Sequence, residues 1–170
     1  MKRGLSFNKK AQGVFGMSFS VIFSIIIIVF IIVVGIIVVK YTLDIKSCGQ
    51  VKLFADELQG EVDRAWKSNE LSFNFEGHLS SGIEYVCFAN LSDSLRGGYK
   101  SIGEEISVFD LNDNLFFYPV EKSCKPNTRI LHLDISEIVS VDNPYCVEVR
   151  NGKVSIEIIK EMNKGLVGVR

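Results

Sequence analysis

The sequence lacks the motifs by which the common enzyme classes are recognised. It contains no G-x-S-x-G nucleophile turn, no H-E-x-x-H zinc motif and no phosphate-binding glycine loop. None of its four cysteines is spaced as C-x-x-C, the arrangement typical of zinc knuckles and redox motifs. These absences predict a protein that is not an enzyme and has no catalytic residue, no cofactor and no bound metal.

Charge is missing from a long stretch near the amino terminus. Residues 14–39 read VFGMSFSVIFSIIIIVFIIVVGIIVV and contain no charged side chain. A hydrocarbon core of about 30 Å needs roughly 20 apolar helical residues. A signal peptide has a shorter apolar region and small residues at its cleavage site, whereas Lys40, Tyr41 and Thr42 follow here. We therefore predict a transmembrane helix at residues 14–40.

Acidic residues are absent from the segment before this span. Residues 1–13 carry Lys2, Arg3, Lys9 and Lys10, and cytoplasmic flanks of membrane spans carry such an excess of Lys and Arg. The sequence thus predicts a basic cytoplasmic leader, a lipid membrane as partner, and an extracytoplasmic domain at residues 41–170. Five of the 19 basic residues lie in the first 40 positions, so this domain has 14 against 20 acidic ones, a formal charge of −6. That balance argues against nucleic acid as a partner.

All the cysteines fall in the predicted extracytoplasmic domain. An even number in such a compartment indicates disulfides, since no reducing thiol pool opposes them there. Four cysteines allow three pairings, of which we favour the two that join neighbours in the sequence. The predicted disulfides are Cys48–Cys87 and Cys124–Cys146.

The segment after the span has the periodicity of an amphipathic helix. Its apolar residues recur at steps of three and four, which places them on one helical face. We expect a helix at residues 47–67, either continuous with the span or bent at Gly49, whose apolar face packs on a sheet. That face comprises Val51, Phe54, Ala55, Leu58, Val62, Ala65 and Trp66.

From residue 71 onward, short runs of branched and aromatic residues predict strands. Asn151-Gly152 between two alternating runs predicts a hairpin of residues 146–150 and 153–159. The fold class predicted is α+β: one domain of about 130 residues, with helices on an antiparallel sheet. The other expected elements are strands at 71–75, 82–91 (central in the sheet), 115–118, 129–133 and 138–141, and a helix near 99–109.

Two groups of polar residues are candidate sites. His132 and Asp134 alternate on a predicted strand, where an exposed pair is a better interpretation than a metal or acid–base site. Oxygen-bearing side chains at 110, 112, 114 and 121 have the spacing of a calcium loop, but Leu115 stands where such a loop needs glycine. We interpret this segment as a turn rich in Asp and Asn.

Asn90-Leu91-Ser92 is an N-x-S sequence within the predicted extracytoplasmic domain. Asn90 is therefore a possible glycosylation site.

The amino terminus resembles that of archaeal type IV pilin-like proteins. The residues that carry the resemblance are Lys9-Lys10-Ala11-Gln12-Gly13, followed by the long Ile/Val helix. The resemblance implies cleavage by a prepilin peptidase between Ala11 and Gln12, with cuts after Gly13 or Gly16 as alternatives. Many pilins keep Glu at the fifth mature position, and cleavage before Gln12 places Gly16 there. The layout is also similar to that of single-span accessory proteins of the archaellum, which carry an outer β-sandwich.

The sequence is compatible with three functions. The first is a single-pass, membrane-anchored domain with a binding or scaffold role at the cell surface, which contacts other surface proteins. The second is a pilin-like filament subunit that self-associates after processing. The third, an ectoenzyme, would need an active site assembled from residues distant in the sequence.

Overall fold

The computed structural model describes residues 19–170, and the side chains of residues 21–41 and 49–170. The predicted processing residues therefore lie outside the described part. The described helices and strands are α1 (Phe19–Trp66), β1 (Leu71–His78), β2 (Tyr85–Phe88), α2 (Lys100–Ile106), β3 (Leu115–Tyr118), a 3-10 turn (Val120–Lys122), β4 (Asn127–Thr128), α3 (Ile135–Ile138), β5 (Tyr145–Glu148), β6 (Lys153–Lys160) and β7 (Gly168–Val169).

Helix α1 covers residues 19–40 of the predicted span, whose first five residues lie outside the described part, and continues through the predicted amphipathic helix to Trp66. Its segment Val21–Tyr41 is long and apolar enough to cross a membrane, and none of it is buried inside the protein. A signal sequence near the amino terminus would fit the same description. The chain divides into two units, Met1–Thr42 and Leu43–Arg170, and the second holds all the strands.

The second unit contains two antiparallel sheets, so the fold class is α+β. The three-stranded sheet has the order β1-β6-β7, and the four-stranded sheet has the order β4-β3-β2-β5. As predicted, the strand around Tyr85–Phe88 is central, between β3 and β5. It is shorter than the predicted run of residues 82–91, whereas β1 extends the predicted strand at 71–75 as far as His78.

The apolar face of α1 packs against both sheets, as its periodicity predicts. Five of its residues are at most 2% exposed: Val51, Phe54, Leu58, Val62 and Ala65. The Phe54 ring lies 5.5 Å from the ring of Phe75 on β1 and 5.8 Å from that of Phe117 on β3. It also lies over Gly77, where an added Cβ would come within 2.2 Å of the ring. The Phe54 ring therefore connects the helix to both sheets within the main core.

A second, smaller core lies on the other face of the four-stranded sheet. Ile102 and Ile106 of α2 are buried there with Cys87 and Phe116. The four-stranded sheet is thus covered on both faces, which explains why Val86, Cys87 and Phe88 are all fully buried.

Two predicted strands are absent at their expected positions. Residues 129–133 are not a strand, because the Asn114 side chain hydrogen-bonds both the N–H and the C=O of Ile130 and so replaces a ladder there. Residues 138–141 are not a strand either. The chain forms the helical turn α3 instead, and the Asp134 carboxylate caps it by accepting a hydrogen bond from the N–H of Glu137.

The predicted hairpin is correct in its turn and wrong in its pairing. Asn151 and Gly152 have φ of 53° and 72°, as a tight two-residue turn requires. Beyond the Arg150–Lys153 bridge, however, the two strands join different sheets. The N–H of Val149 donates to the C=O of Glu84, which commits β5 to the four-stranded sheet.

Candidate functional site

The cysteines are paired differently from the prediction. Cys87 and Cys146 form a disulfide with their Cα atoms 4.0 Å apart, so both favoured pairs, Cys48–Cys87 and Cys124–Cys146, are wrong. The physical reason is that β2 and β5 are neighbouring strands in which these two residues stand directly opposite each other. Cys124 is also disulfide-bonded. The side chain of Cys48 lies outside the described part.

His132 does not lie on a strand beside Asp134, so the predicted exposed pair is wrong. Its φ is 67°, a left-handed conformation outside the β region. Its ring stacks on the indole of Trp66 at 3.9 Å, with 3° between the planes. Its Nδ1 lies 3.0 Å from Oδ1 of Asp63. The partner of this histidine is therefore on α1, and Asp134 caps α3.

Gln59 completes the contact between α1 and the loop that carries His132. Its amide N–H donates to Asp63 Oδ1 at 2.7 Å, and its carbonyl accepts from the N–H of Leu131 at 2.8 Å. The hydrogen bond from His132, and to a lesser degree the one from Gln59, lower the pKa of the Asp63 carboxyl below its ordinary value. The indole N–H of Trp66 donates to the C=O of Gly165 at 3.0 Å.

A groove opens beside this contact, which we call the Leu131 groove. It encloses about 380 Å³ and has three exposed leucines, Leu111, Leu131 and Leu166, together with His132. The remaining lining residues are Ala89, Asn90, Asn112, Asp113, Asn114, Arg129, Ile130, Leu133 and Ile135. Its lining combines apolar and polar side chains, which is typical of a binding surface.

A second groove of about 340 Å³ lies beside α3, between the edges of the two sheets. Lys164 in this groove is paired with two carboxylates, since its Nζ lies 2.6 Å from Glu137 and 3.1 Å from Glu161. These carboxylates raise the pKa of Lys164, and burial raises the pKa of the Tyr145 phenol in the same groove. The ion pair with Glu137 connects the loop after β6 to α3.

The calcium spacing corresponds to a turn, as interpreted from the sequence. Asp110 Oδ1 accepts hydrogen bonds from the N–H and the side-chain amide of Asn112, both at 2.9 Å. Asn114 binds the Ile130 backbone, and Glu121 belongs to the 3-10 turn. Among the described residues, no three His, Cys, Asp or Glu side chains are grouped so that they could hold a metal ion.

Asn90 lies at a turn on the wall of the Leu131 groove. Its Oδ1 accepts from the N–H of Ser92 at 3.0 Å, and its backbone is held on both sides by the fully buried side chain of Asn143. His78, the other histidine, ends β1 and is exposed.

The contact of Trp66, His132 and Asp63 was not predicted, since 66 and 69 positions in the sequence separate the histidine from its two partners. The one available signal was the position of Trp66 at the end of the apolar face. The chain matches no protein-family model, no curated protein and no solved structure.

Proposed function

We propose that this chain is a single-pass protein of the cell membrane whose α+β domain lies outside the cytoplasm and has a binding or scaffold role at the cell surface. The observation that carries the proposal is the segment Val21–Tyr41 of α1. Every described side chain in it is exposed, although nearly all are apolar. A helix that is apolar on all sides needs an apolar environment around it, and the described protein supplies none.

The direction of insertion follows from the flanks and the cysteines. The basic leader is retained in the cytoplasm because Lys and Arg are enriched on that side. The buried Cys87–Cys146 disulfide is of a kind that persists in an oxidising compartment. Both features favour an extracytoplasmic domain.

A binding role without catalysis is favoured by the grooves. Several of their ionisable groups are engaged in contacts within the domain: His132 with Asp63, and Lys164 with Glu137 and Glu161. The exposed leucines of the Leu131 groove offer apolar surface to another cell-surface protein.

Membrane anchoring is tested by placing charge in the middle of the apolar segment. Ile28→Lys with Ile32→Lys should move the protein out of the carbonate-resistant membrane fraction, because each lysine costs about 2.5–3.5 kcal/mol at the centre of a span. Ile28→Leu with Ile32→Leu is the matched control and should remain in that fraction. Extraction of the wild-type protein by alkaline carbonate would contradict the proposal.

The topology is tested by adding protease to intact cells. We expect digestion of the domain at residues 41–170, while a cytoplasmic marker protein survives. Digestion only after the cells are broken would place the domain in the cytoplasm and contradict the proposal.

A pilin-like filament subunit is the second candidate. It is favoured by the extent of α1, since one helix includes both the apolar segment and the face that packs on the sheets. Under this proposal a prepilin peptidase cuts between Ala11 and Gln12. Without Glu at the fifth mature position, assembly would depend on apolar packing of the helices.

Intact-mass measurement on protein co-expressed with an archaeal prepilin peptidase tests this second candidate. The expected mass is that of residues 12–170, and Ala11→Leu should retain the leader because the enzyme cuts after a small residue. An unprocessed wild-type chain would rule out the filament role and leave the anchored scaffold intact.

A further inference from the structure

Strand β1 is an edge strand with one free side along its whole length. Its register with β6 runs unbroken from Leu71 opposite Lys160 to His78 opposite Lys153. Just beyond the strand, the N–H of Leu79 donates to the C=O of Gly152 at 2.9 Å. Because hydrogen-bonded pairs alternate along an antiparallel ladder, odd-numbered residues of β1 bond to β6.

The even-numbered residues of β1 therefore direct their backbone groups away from the sheet. They are Ser72, Asn74, Glu76 and His78, and all four are exposed. Within the described part of the chain, the backbone N–H and C=O of these four residues have no hydrogen-bond partner. The strand offers a row of four donors and four acceptors to another strand.

Natural edge strands are usually protected, and β1 has few of the usual devices. It contains no proline, and its unbroken register has no bulge. It has no lysine, and Glu76 is its one acidic residue. Proteins commonly use prolines, bulges and charged side chains to block an exposed edge when pairing has to be avoided. An eight-residue edge of this kind is therefore suited to pairing.

We propose that β1 pairs, antiparallel and symmetrically, with β1 of a second copy of this chain. The other edge strands are too short to pair along the whole of β1, since β4 and β7 have two residues each and β5 has four. A second β1 matches its length, and the two three-stranded sheets then become one continuous sheet of six strands.

The side chains select one register for this pair. With Phe75 on the two-fold axis, Ser72 faces His78 of the second copy and Asn74 faces Glu76 of the second copy, so about eight backbone hydrogen bonds form. A shift by two residues brings Glu76 opposite Glu76 in one direction or Asn74 opposite Asn74 in the other, and each keeps only about six. The symmetric register thus has the most hydrogen bonds and no facing like charges.

On the opposite face of the strand, the same register places Phe73 across from Gly77 of the second copy. Gly77 is covered by the Phe54 ring of its own copy, so Phe73 would lie beside that ring where the two sheets join.

The experiment measures the oligomeric state of the full chain in detergent micelles by analytical ultracentrifugation. The wild-type protein should be a dimer. Asn74→Pro should weaken the dimer by about tenfold or more, because it removes an outward N–H from each copy without touching the bonds to β6. Asn74→Ala keeps that N–H and is the matched control, which should remain dimeric. The melting temperature of each variant checks that its domain is folded.

A charge pair tests the register even if Asn74→Pro fails to fold. Asn74→Glu puts two carboxylates opposite each other and should weaken the dimer about threefold, whereas Asn74→Lys faces Glu76 and should strengthen it by a similar factor. A monomeric wild-type protein would overturn the proposal. So would a dimer whose affinity is the same in the Pro, Glu and Lys variants, which would assign association to the apolar part of α1.

Discussion

Two segments of helix α1 are rich in apolar residues, yet their side chains meet different surroundings. In Val21–Tyr41 the apolar residues occur on every side of the helix, and all are exposed. In the segment from Val51 to Trp66 they form one face, and five of them are at most 2% exposed because both sheets cover them. The charged residues of this second segment, such as Lys52 and Asp56, lie on the exposed side.

The difference shows that the distribution of apolar residues around a helix reflects the environment of each helical face. A helix that packs on a sheet needs only a stripe of apolar residues, since water covers the rest. A helix surrounded by lipid needs them on all sides. The same residue type, Ile or Phe, therefore has a different energetic role in the two segments, and substitutions should separate those roles.

The largest effect is expected from removing an aromatic ring in the packed segment. Phe54→Ala should lower the free energy of unfolding of the domain by about 3–5 kcal/mol, because the ring contacts Phe75 and Phe117 and nothing fills the cavity. Ile31→Ala in the apolar segment should change it by less than about 0.5 kcal/mol. Denaturant unfolding of the full chain in detergent, followed by near-ultraviolet circular dichroism, measures both.

Leu53→Ala is the control on the same helical turn, because Leu53 is 58% exposed. It should behave like Ile31→Ala. Equal losses for Phe54→Ala and Leu53→Ala would contradict the packing of α1 on the sheets.

A smaller effect is expected from the Cys87–Cys146 disulfide, which lies in the unit Leu43–Arg170. Cys87→Ala with Cys146→Ala should lower the free energy of unfolding by about 2–4 kcal/mol, because the bond closes a loop with a sequence separation of 59. The difference from the wild-type protein should shrink when both are unfolded in reductant, because the wild-type crosslink is then absent. No difference without reductant would show that this disulfide does not form.

Local patterns in the sequence predicted local structure well. The steps of three and four that end at Trp66 predicted the packed face of α1, and Asn151-Gly152 predicted its turn. Both signals depend on residues that are close in the sequence. The pairing of the strand before that turn depends on Glu84, far away in the chain, and the sequence contained no signal for it.

The wrong strand and disulfide predictions have physical causes. Residues 129–133 have the composition of a strand, but one side chain, Asn114, occupies the backbone of Ile130. Asp134 followed by Glu137 was a visible helix-start signal that outweighed the branched residues at 138–141. The disulfide pairing followed from which strands are neighbours, and a rule based on distance in the sequence could not find it.

The candidate site was the least predictable part. His132 was expected on a strand, yet its left-handed backbone and its stacking on Trp66 both depend on α1 packing beneath the loop. The leucines of the Leu131 groove come from three separate loops. A groove built in this way appears only when the fold is known.

The smallest effect is expected from acid titration of Asp63, which connects the packed segment of α1 to the loop. Its pKa is lower in the folded protein than its ordinary value of 3.8, so its contribution to stability is present above pH 3.8 and is lost as the pH falls through the folded value. Asp63→Asn should remove that part of the acid dependence. The effect should stay below about 1 kcal/mol, because the side chain is 39% exposed and solvent screens the pair.

Unfolding measured between pH 6 and pH 2 tests this, with Asp56→Asn, an exposed change on the same helix, as the control. An acid dependence that is identical in wild-type and Asp63→Asn protein would show that the His132–Asp63 contact does not stabilise the fold.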